Sequence, residues 1–485
     1  MRGIVLNIGG FSGMMLLGYS NIKLSRFQAQ NMLLRLKQLM LFTGDIVILY
    51  LSLFLTFLTR YGTPTDKEPW QDHFWPFTVI FSVWITIFYI NGLYDLALSK
   101  NDVRFYRRFF ESLAIGGLVA IGFFYLTPSI GIAPKTNFFL QMLFFTVLFI
   151  LWRALWNRTV ITAVWKTKIL FIGSSSQARE LYDAIKAVPQ YGFILWAVLP
   201  DAPNPSLPTD VKIVPDANGL PGFIRQEGIM TVVLGAKPEA SSSISRALYQ
   251  ALFLQINFAD AAEFMESITG RIPTARLSEA WFLENLKETK KSAFTIIKTA
   301  TDYLLAVILG GILLIFIPLI ALGNLIANPG ALFYKQKRVG AKGKQFFIYK
   351  FRTMFPDAEA NGAVFALKND SRVTALGKFL RKTRLDELPQ VWNILRGEMS
   401  FIGPRPERPE FVGELQAAMP FYNLRHLIKP GLTGWAQINF PYAGSIEENL
   451  KKLQYDLYYV KNRSLILDLA ILLKTINIVA RWMGR

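Results

Sequence analysis

The sequence predicts a multidomain membrane protein with a four-helix transmembrane bundle, a soluble α/β domain, and a C-terminal α+β domain anchored by a proline-broken, re-entrant membrane helix. Three observations lead to this prediction. The 485-residue chain is 52% hydrophobic, and four of its apolar runs have nearly the length and charge-free composition of membrane spans. Strand-length apolar runs then alternate with helical stretches, which favours a parallel sheet. A fifth apolar run, interrupted by Pro318, precedes a basic C-terminal region.

The four apolar runs cover residues 41–58, 75–93, 112–127 and 137–156. We therefore predict four transmembrane helices within residues 41–157, preceded by a basic N-terminal tail over residues 1–40. Lys and Arg are concentrated in segments 26–37, 100–108 and 158–168, whereas little net charge is found in segments 61–74 and 128–135. Because basic loops remain in the cytoplasm, the N-terminus and everything after the fourth helix are predicted to be cytoplasmic. Asp45 lies near the end of the first run, where a snorkelling or capping role is favoured.

Composition narrows the classes of partner and site. The formal net charge of +19 suits a nucleic acid, an anionic membrane surface or phosphorylated ligands. The basic residues flank membrane-seeking segments and no recognised nucleic-acid module is visible, so we predict no nucleic-acid partner. The chain has no cysteine, which excludes disulfides, thiolate nucleophiles and Cys-ligated metals. Only two histidines, His73 and His426, are available, which disfavours a His-rich metal site.

Residues 166–270 are predicted to form a Rossmann-like accessory domain in the cytosol. A strand pattern ending at Gly173 is followed by three serines and a helical stretch, a geometry that can present backbone N–H groups to a phosphate. Serine replaces most of the glycine fingerprint of dinucleotide sites, so a structural strand-to-helix turn is favoured over a nucleotide site. Residues 271–296 are expected to be a linker.

The fifth apolar run lies within residues 297–330 and is predicted to be a re-entrant membrane helix. Lys298 precedes the run, and Lys335 and Lys337 follow it, so the positive-inside rule places both of its ends on one face. Pro318 removes a backbone hydrogen bond and is expected to break the helix. The alternative is a fifth spanning helix, which would export everything downstream.

Residues 331–485 are predicted to be the catalytic domain, because segment 381–411 places adjacent acids among arginines and prolines. Asp386 and Glu387 precede an apolar pattern that fits a helix with Pro389 in its first turn, so both acids are expected at a helix N-terminus. Such a site can hold phosphate, with the aspartate as nucleophile and the glutamate as Mg²⁺ ligand. The candidate phosphate-binding residues are Lys350, Arg352, Arg381, Arg384, Arg405 and Arg408.

A purely structural interpretation of the acids remains open from the residues alone. Thr383 could cap the helix with Asp386 three residues later, leaving both acids as favourable first-turn residues.

The C-terminal domain resembles the catalytic domain of bacterial polyprenyl-phosphate hexose-1-phosphate transferases, and the order of segments before it resembles the long-form members of that family. The matching residues are Gln336, Arg338, Val339, Gly340, 350–354 (KFRTM), Arg381, 386–390 (DELPQ), 403–406 (GPRP) and 429–434 (KPGLTG). Two departures concern the membrane helix. Lys298 is followed by Thr299 where the family has a basic pair, and Ile317 precedes Pro318 where the family has serine.

The resemblance implies Asp386 as nucleophile, Glu387 as Mg²⁺ ligand, and Arg381 and Arg405 as phosphate-positioning groups. It also implies transfer of hexose-1-phosphate from a nucleoside-diphosphate sugar, with UDP the expected nucleotide, to undecaprenyl phosphate at the bacterial inner membrane, the first membrane step of exopolysaccharide, O-antigen or capsule synthesis. A homodimer is a possible assembly. The alternatives are a membrane sensor that binds its ligand in residues 166–270, a transporter, which would need ionisable residues in the spans, and a non-catalytic scaffold, which would need a damaged acid pair.

Overall fold

The computed structural model describes residues 10–62, 67–127, 135–161, 166–201, 207–236, 239, 242–273, 279–286, 292–327, 330–356, 358, 370–419, 421–440 and 445–480. The chain divides into two compact units, Met1–Thr269 and Gly270–Arg485. Each unit is described by itself below.

The first unit begins with four long helices, α1 (Gly10–Tyr61), α2 (Lys67–Ile90), α3 (Val103–Leu126) and α4 (Lys135–Ile161). Each contains a stretch long and apolar enough to cross a membrane, as predicted. Their inward faces share one apolar core in which Trp84, Phe109 and Phe149 are almost completely buried. Helix α1 starts well before residue 41, so the predicted tail continues into the first helix from Gly10 onward. No glycine or proline lies between Ser20 and Thr43 to end a helix there; residues 1–9 lie outside the described residues.

Asp45 is not the exposed helix-end acid that we expected. Its Oδ2 lies 2.5 Å from Nη2 of Arg153, and both side chains are fully buried. Arg153 also donates to the Leu93 carbonyl at 3.2 Å, and its guanidinium lies 4.8 Å from the centre of the Phe149 ring. The pair therefore joins helices α1 and α4 inside the apolar core, where an unpaired charge would be costly.

The rest of the first unit is a parallel α/β domain. Its strands are β1 (Thr167–Gly173), β2 (Phe193–Pro200), β3 (Lys212–Ile213), β4 (Thr231–Leu234) and β5 (Asn257–Asp260). Its helices are α5 (Ser175–Ala187), α6 (Leu220–Glu227), α7 (Ser243–Ala251) and α8 (Ala261–Thr269). All strand pairs are parallel, in the order β3-β2-β1-β4-β5, with an apolar core on each face. The predicted parallel sheet is confirmed.

The serine-rich turn after β1 forms a capped helix start. The Ser174 Oγ accepts from the Gln177 N–H at 3.4 Å, and the Gln177 side chain donates to the Gly235 carbonyl at 3.4 Å. Gln177 thus bridges the ends of β1 and β4, an arrangement that agrees with the structural interpretation of this turn.

Within its described residues, the second unit has four short strands, β6 (Phe333–Val339), β7 (Gln345–Phe351), β8 (Ser400–Ile402) and β9 (Gly431–Thr433). Strands β6 and β7 form an antiparallel hairpin, and β8 pairs with β9 in parallel. Its helices are α9 (Glu279–Asn285), α10 (Ser292–Ala327), α11 (Ala375–Thr383), α12 (Val391–Leu395), α13 (Pro409–Ala418), α14 (Trp435–Asn439), α15 (Ile446–Asn462) and α16 (Leu465–Ala480). Within the segment expected to be a linker, Ile272 and Phe282 are buried in a core with Tyr422 and Leu457.

Of the five candidate membrane spans in the part of the chain that the structure describes, the one in helix α10 is the most apolar. The predicted break at Pro318 is not seen in this described segment, because the helix continues through the proline to Ala327. One lost backbone hydrogen bond is offset by packing beyond it, where Ile320 is buried against Phe351 and Leu380. The other half of α10 is packed too, since Asp302 Oδ1 accepts from the Phe401 N–H at 3.1 Å.

Candidate active site

The two acids lie in a 3-10 segment, Leu385–Gln390, and helix α12 begins only at Val391. Both acids lie in the first turn of a helical segment, as predicted, but that segment is a 3-10 helix and Pro389 lies near its end rather than in a first turn. Arg384 ends helix α11 in the left-handed region, with φ of 61°, and turns the chain just before the acids. The alternative cap at Thr383 is also wrong, because its Oγ1 donates to the Phe379 carbonyl at 2.9 Å.

Glu387 is the centre of a buried cluster of cations. Its Oε1 lies 2.7 Å from Nζ of Lys350 and 2.8 Å from Nη2 of Arg405, and its Oε2 lies 3.6 Å from Nη1 of Arg384. Burial alone would raise the pKa of Glu387, but the charges of Arg405, Lys350 and Arg384 outweigh it and hold the pKa well below its ordinary value. Glu387 is therefore a permanent anion that holds Lys350 and Arg405 in place.

Asp386 has the opposite electrostatic character. Its side chain is buried, and Oδ1 has no hydrogen-bond partner among the residues that the structure describes. Burial and then repulsion from Glu387 raise the pKa of Asp386 to about 6, against the opposing charges of Lys350 and Arg384. An aspartate that is mostly ionised at neutral pH yet poorly solvated is well suited to act as a nucleophile.

The other predicted phosphate-binding residues differ in how directly they contact the two acids. Arg381 interacts electrostatically with Asp386, while its Nε donates to the Thr353 Oγ1 at 2.9 Å. The guanidinium of Arg352 lies against Gly330, where an added Cβ would be 2.6 Å from its Nη1. Of the predicted set, Lys350, Arg384 and Arg405 are thus gathered directly on Glu387.

Some residues that build the site were not predicted from the sequence. The side chain of Asn393 is fully buried, donates to the Phe347 carbonyl at 2.6 Å and accepts from the Tyr349 N–H at 3.3 Å. It thereby fastens helix α12 to strand β7, which carries Lys350. An amide within the apolar pattern of α12 is the signal that could have identified it.

A second group that was not predicted from the sequence is the ion-pair cluster at Glu407, two residues after Arg405. The carboxylate of Glu407 lies 2.6 Å from Nζ of Lys452 and 3.8 Å from Nη1 of Arg338. Burial would raise the pKa of Glu407, but the charges of Lys452, Arg425 and Arg338 lower it to about 2. This permanently ionised carboxylate secures the chain just after Arg405.

The loop that carries Arg405 depends on close backbone packing between glycines. A Cβ on Gly403 would lie 2.5 Å from the Lys429 carbonyl, and one on Gly434 would lie 2.1 Å from the Gly403 carbonyl. Both distances are far shorter than a normal contact. The GPRP and KPGLTG motifs are therefore two halves of one packed backbone unit, joined by β8 and β9.

We expect Gly403→Ala to destabilise the second unit by roughly 2 kcal/mol or more and to lower activity, because backbone atoms cannot move aside as a side chain can. Gly413→Ala is the matched control: Gly413 lies in helix α13, and apart from the backbone of that helix and the adjacent residues, no described atom lies within 4 Å of its added Cβ. That change is expected to be neutral or to stabilise by about 0.5–1 kcal/mol. Equal thermal midpoints for the two variants would contradict the packing argument.

His426 should make the stability of the second unit depend on pH. It is buried beside Tyr422, and burial followed by repulsion from Arg425 lowers its pKa to about 4, against the opposing charge of Glu407. The unfolded imidazole binds a proton near pH 6.5, so its contribution is present above that pH and is lost as the pH falls. At pH 5 the loss is about 2 kcal/mol, or roughly 4–8 °C in the thermal midpoint.

His426→Phe removes this titration while keeping a ring against Tyr422. The midpoint of the second unit, followed by proteolysis during heating, should fall less between pH 7.5 and pH 5 in the variant than in the wild type. The same fall in both proteins would show that His426 is not responsible.

Comparison with known proteins identifies the second unit. Residues 293–482 match the family model described as "Bacterial sugar transferase". The chain is 43% identical to a UDP-N-acetylgalactosamine-undecaprenyl-phosphate N-acetylgalactosaminephosphotransferase of Aeromonas hydrophila over 46% of the chain and 52% of that protein. It is 41% identical to a UDP-glucose:undecaprenyl-phosphate glucose-1-phosphate transferase of Xanthomonas campestris pv. campestris over 38% of each.

The match to these two proteins thus spans about half or less of their length. A longer match joins the chain to a UDP-galactose-lipid carrier transferase of Erwinia amylovora, 30% identical over 66% of the chain and 69% of that protein. The resemblance predicted from the motifs is confirmed. The chain belongs to the bacterial sugar transferase family, among relatives named as undecaprenyl-phosphate sugar-phosphate transferases.

Proposed function

We propose that this protein transfers a hexose-1-phosphate from a UDP-sugar to undecaprenyl phosphate, forming undecaprenyl-diphosphate sugar and UMP. The observation that carries the proposal is the pairing of a buried, unpartnered Asp386 Oδ1 with a Glu387 anchored by Lys350 and Arg405. Relatives whose names specify this reaction support the choice of donor and acceptor. The reaction would be the first membrane step of exopolysaccharide, O-antigen or capsule synthesis.

The transfer would proceed in two displacements at the same phosphorus. An Asp386 oxygen attacks the sugar-proximal phosphorus of the UDP-sugar, forming an oxygen–phosphorus bond while the bond to the bridging oxygen breaks and UMP leaves. A phosphate oxygen of undecaprenyl phosphate then attacks that phosphorus and expels the Asp386 carboxylate. The phosphosugar ends on the lipid, and Asp386 returns to its starting form.

Lys350 and Arg405 are the groups that would meet the donor's phosphates. Both already lie within hydrogen-bond distance of a carboxylate oxygen in a largely buried site, so they are oriented before substrate arrives. Arg381, close enough to interact with Asp386, would contact the phosphate nearer the nucleophile.

Mg²⁺ fits this acid pair. No group of three metal-binding side chains occurs in the described parts of the chain, so Glu387 would hold the ion with water and substrate phosphates as the remaining ligands. The unpartnered Oδ1 of Asp386 is consistent with a further ligand in the working enzyme. A bound Mg²⁺ would neutralise charge on the diphosphate.

We also propose that helix α10 enters and leaves the membrane on the cytoplasmic face, in a protein of the bacterial inner membrane. Contacts with the second unit extend from Asp302, which accepts from Phe401, to Ile320, which packs on Phe351. Those residues are roughly 27 Å apart along the helix, close to the thickness of the hydrocarbon core. A helix that spanned the membrane would therefore place them near opposite faces. Packing of both against one soluble domain supports a same-side arrangement.

The chain has no cysteine, so single cysteines can test this topology. Ala293→Cys, in the first turn of α10, and Ala331→Cys, just after the helix, should react with an impermeant maleimide in inverted vesicles but not in intact spheroplasts. Asp66→Cys, in the loop predicted to be external, should show the opposite pattern. Labelling of Ala331→Cys from outside the cell would establish a spanning helix instead.

The function is tested with the full-length protein, Mg²⁺, undecaprenyl phosphate and a panel of UDP-glucose, UDP-galactose and UDP-N-acetylgalactosamine, the sugars in the relatives' names. We expect UMP release and a lipid-linked sugar with one of them. Removing Mg²⁺ with a chelator should stop the reaction. Release of UDP instead of UMP would indicate ordinary glycosyl transfer and overturn the proposal.

A further inference from the structure

The backbone of the loop 403–407, which carries Arg405, is held at every residue. The five bonds, in chain order, are Gly403 N to the Thr433 carbonyl at 2.9 Å, the Pro404 carbonyl to Gly431 N at 2.9 Å, the Arg405 carbonyl to Arg425 Nη2 at 2.8 Å, the Pro406 carbonyl to Arg338 Nη1 at 3.1 Å, and the Glu407 carbonyl to Val339 N at 2.9 Å. The bond at Arg405 is the one made by the active-site arginine itself.

The donor of that bond, Arg425, is buried, and both of its terminal nitrogens have partners. Its Nη2 lies 2.8 Å from Oδ2 of Asp456, and its Nη1 donates to the Tyr422 hydroxyl at 2.7 Å. Only 3% of each charged side chain is exposed, so the pair bears a large desolvation cost that its mutual attraction must offset. Arg425 therefore has little freedom to move.

The bond acts on a torsion that the two prolines leave free. Pro404 and Pro406 fix their own φ angles, and Arg405, which precedes a proline, is confined to extended ψ values. The φ angle of Arg405 remains, and it turns the Arg405 carbonyl, which Arg425 holds, relative to the preceding peptide, whose Pro404 carbonyl is held by Gly431 N. Holding both carbonyls therefore fixes φ of Arg405 and with it the direction in which the side chain leaves the backbone toward Glu387.

We propose that Arg425, held by Asp456, is a positioning residue that sets the Arg405 guanidinium for the substrate diphosphate. The inference rests on the proposed function and adds the residues that prepare its phosphate-binding arginine. Neither Arg425 nor Asp456 contacts Glu387 or Asp386 in the described structure, so their effect on the reaction passes through Arg405.

A double-mutant cycle in the full-length enzyme tests this. Arg425→Met should lower kcat/KM for the UDP-sugar by about 10- to 100-fold, because a small misplacement of a phosphate-binding group is costly. In an Arg405→Met background, the same replacement should change kcat/KM by less than about twofold. Arg425→Lys keeps the charge and a donor and should recover part of the loss. Losses that multiply in the double variant would overturn the proposal.

Two further measurements separate positioning from folding and from the function itself. Asp456→Asn preserves the side-chain volume and can replace Arg425→Met in the cycle if that variant does not fold. It should lower kcat/KM by a smaller factor than Arg425→Met, and again only when Arg405 is present. Val412→Ala, in the same core as Tyr422, should lower the thermal midpoint but leave kcat/KM within about twofold. Binding of inorganic pyrophosphate with Mg²⁺, measured calorimetrically, should follow the same cycle even if no UDP-sugar is turned over; additive changes in binding would contradict the coupling.

Discussion

Asp386→Asn is expected to lower the rate of UMP release by roughly a thousandfold or more, because the amide cannot form the oxygen–phosphorus bond of the first displacement. Asparagine has nearly the same shape, and Lys350 and Arg405 bind Glu387 rather than Asp386. Substrate binding should therefore survive. The measurement is single-turnover UMP release, with mass spectrometry for a phosphosugar adduct on Asp386 in the wild type.

The same variant should be at least as stable as the wild type. Because the pKa of Asp386 is raised to about 6 in the folded protein, its ionisation destabilises the fold increasingly as the pH rises from about 4 to about 6, so a neutral side chain should gain roughly 1–3 kcal/mol at pH 7. Asp370 is the matched control: it is also buried, but its carboxylate lies 2.6 Å from the Arg372 guanidinium. The hydrogen bond with Arg372 outweighs burial and lowers the pKa of Asp370. Asp370→Asn should lower the thermal midpoint. UMP release at the wild-type rate by Asp386→Asn would end its assignment as nucleophile.

Local sequence patterns were sufficient to predict the larger secondary-structure elements. Uncharged runs of membrane length predicted the apolar helices α1 to α4, and alternating strand and helix patterns predicted the parallel sheet. The boundaries were less accurate where a neighbouring segment has no helix-breaking residue, as at the start of α1. Pro318 was expected to break α10, but tertiary packing of Ile320 on both Phe351 and Leu380 accompanies an unbroken helix.

At the site, the motif residues were predictable and their surroundings were not. Lys350 and Arg405 were singled out by residue type, and the fold brings both to Glu387. Arg384, which turns the chain before the acids, has a left-handed backbone conformation. Because it is neither glycine nor asparagine, the sequence did not indicate that conformation. Asp456 and Arg425 lie on different elements, so their pairing depends on the tertiary fold. Long-range pairs of this kind leave no local periodicity in a single sequence.

The second large effect is expected in the membrane region, at the pair formed by Asp45 and Arg153. Arg153→Met should destabilise the first unit by about 3–5 kcal/mol, because it leaves a fully buried carboxylate without its cation. The methionine can fill part of the volume against Phe149, so loss of charge pairing rather than loss of packing dominates. The measurement is the thermal midpoint of the first unit in the full-length protein in detergent. Unfolding is detected by the proteolysis of the α/β domain and its attached helices during heating.

The double variant Asp45→Leu with Arg153→Met removes both charges and should recover most of that stability, since an apolar pair of similar volume replaces a desolvated ion pair. Arg107→Gln is the matched control, because Arg107 pairs with Glu111 at 2.9 Å on α3 but its side chain is 79% exposed. Its effect should stay below about 1 kcal/mol. A double variant as unstable as Arg153→Met alone would mean that the arginine's bonds to Leu93 and Ser99, and not the ion pair, hold helix α4 in place.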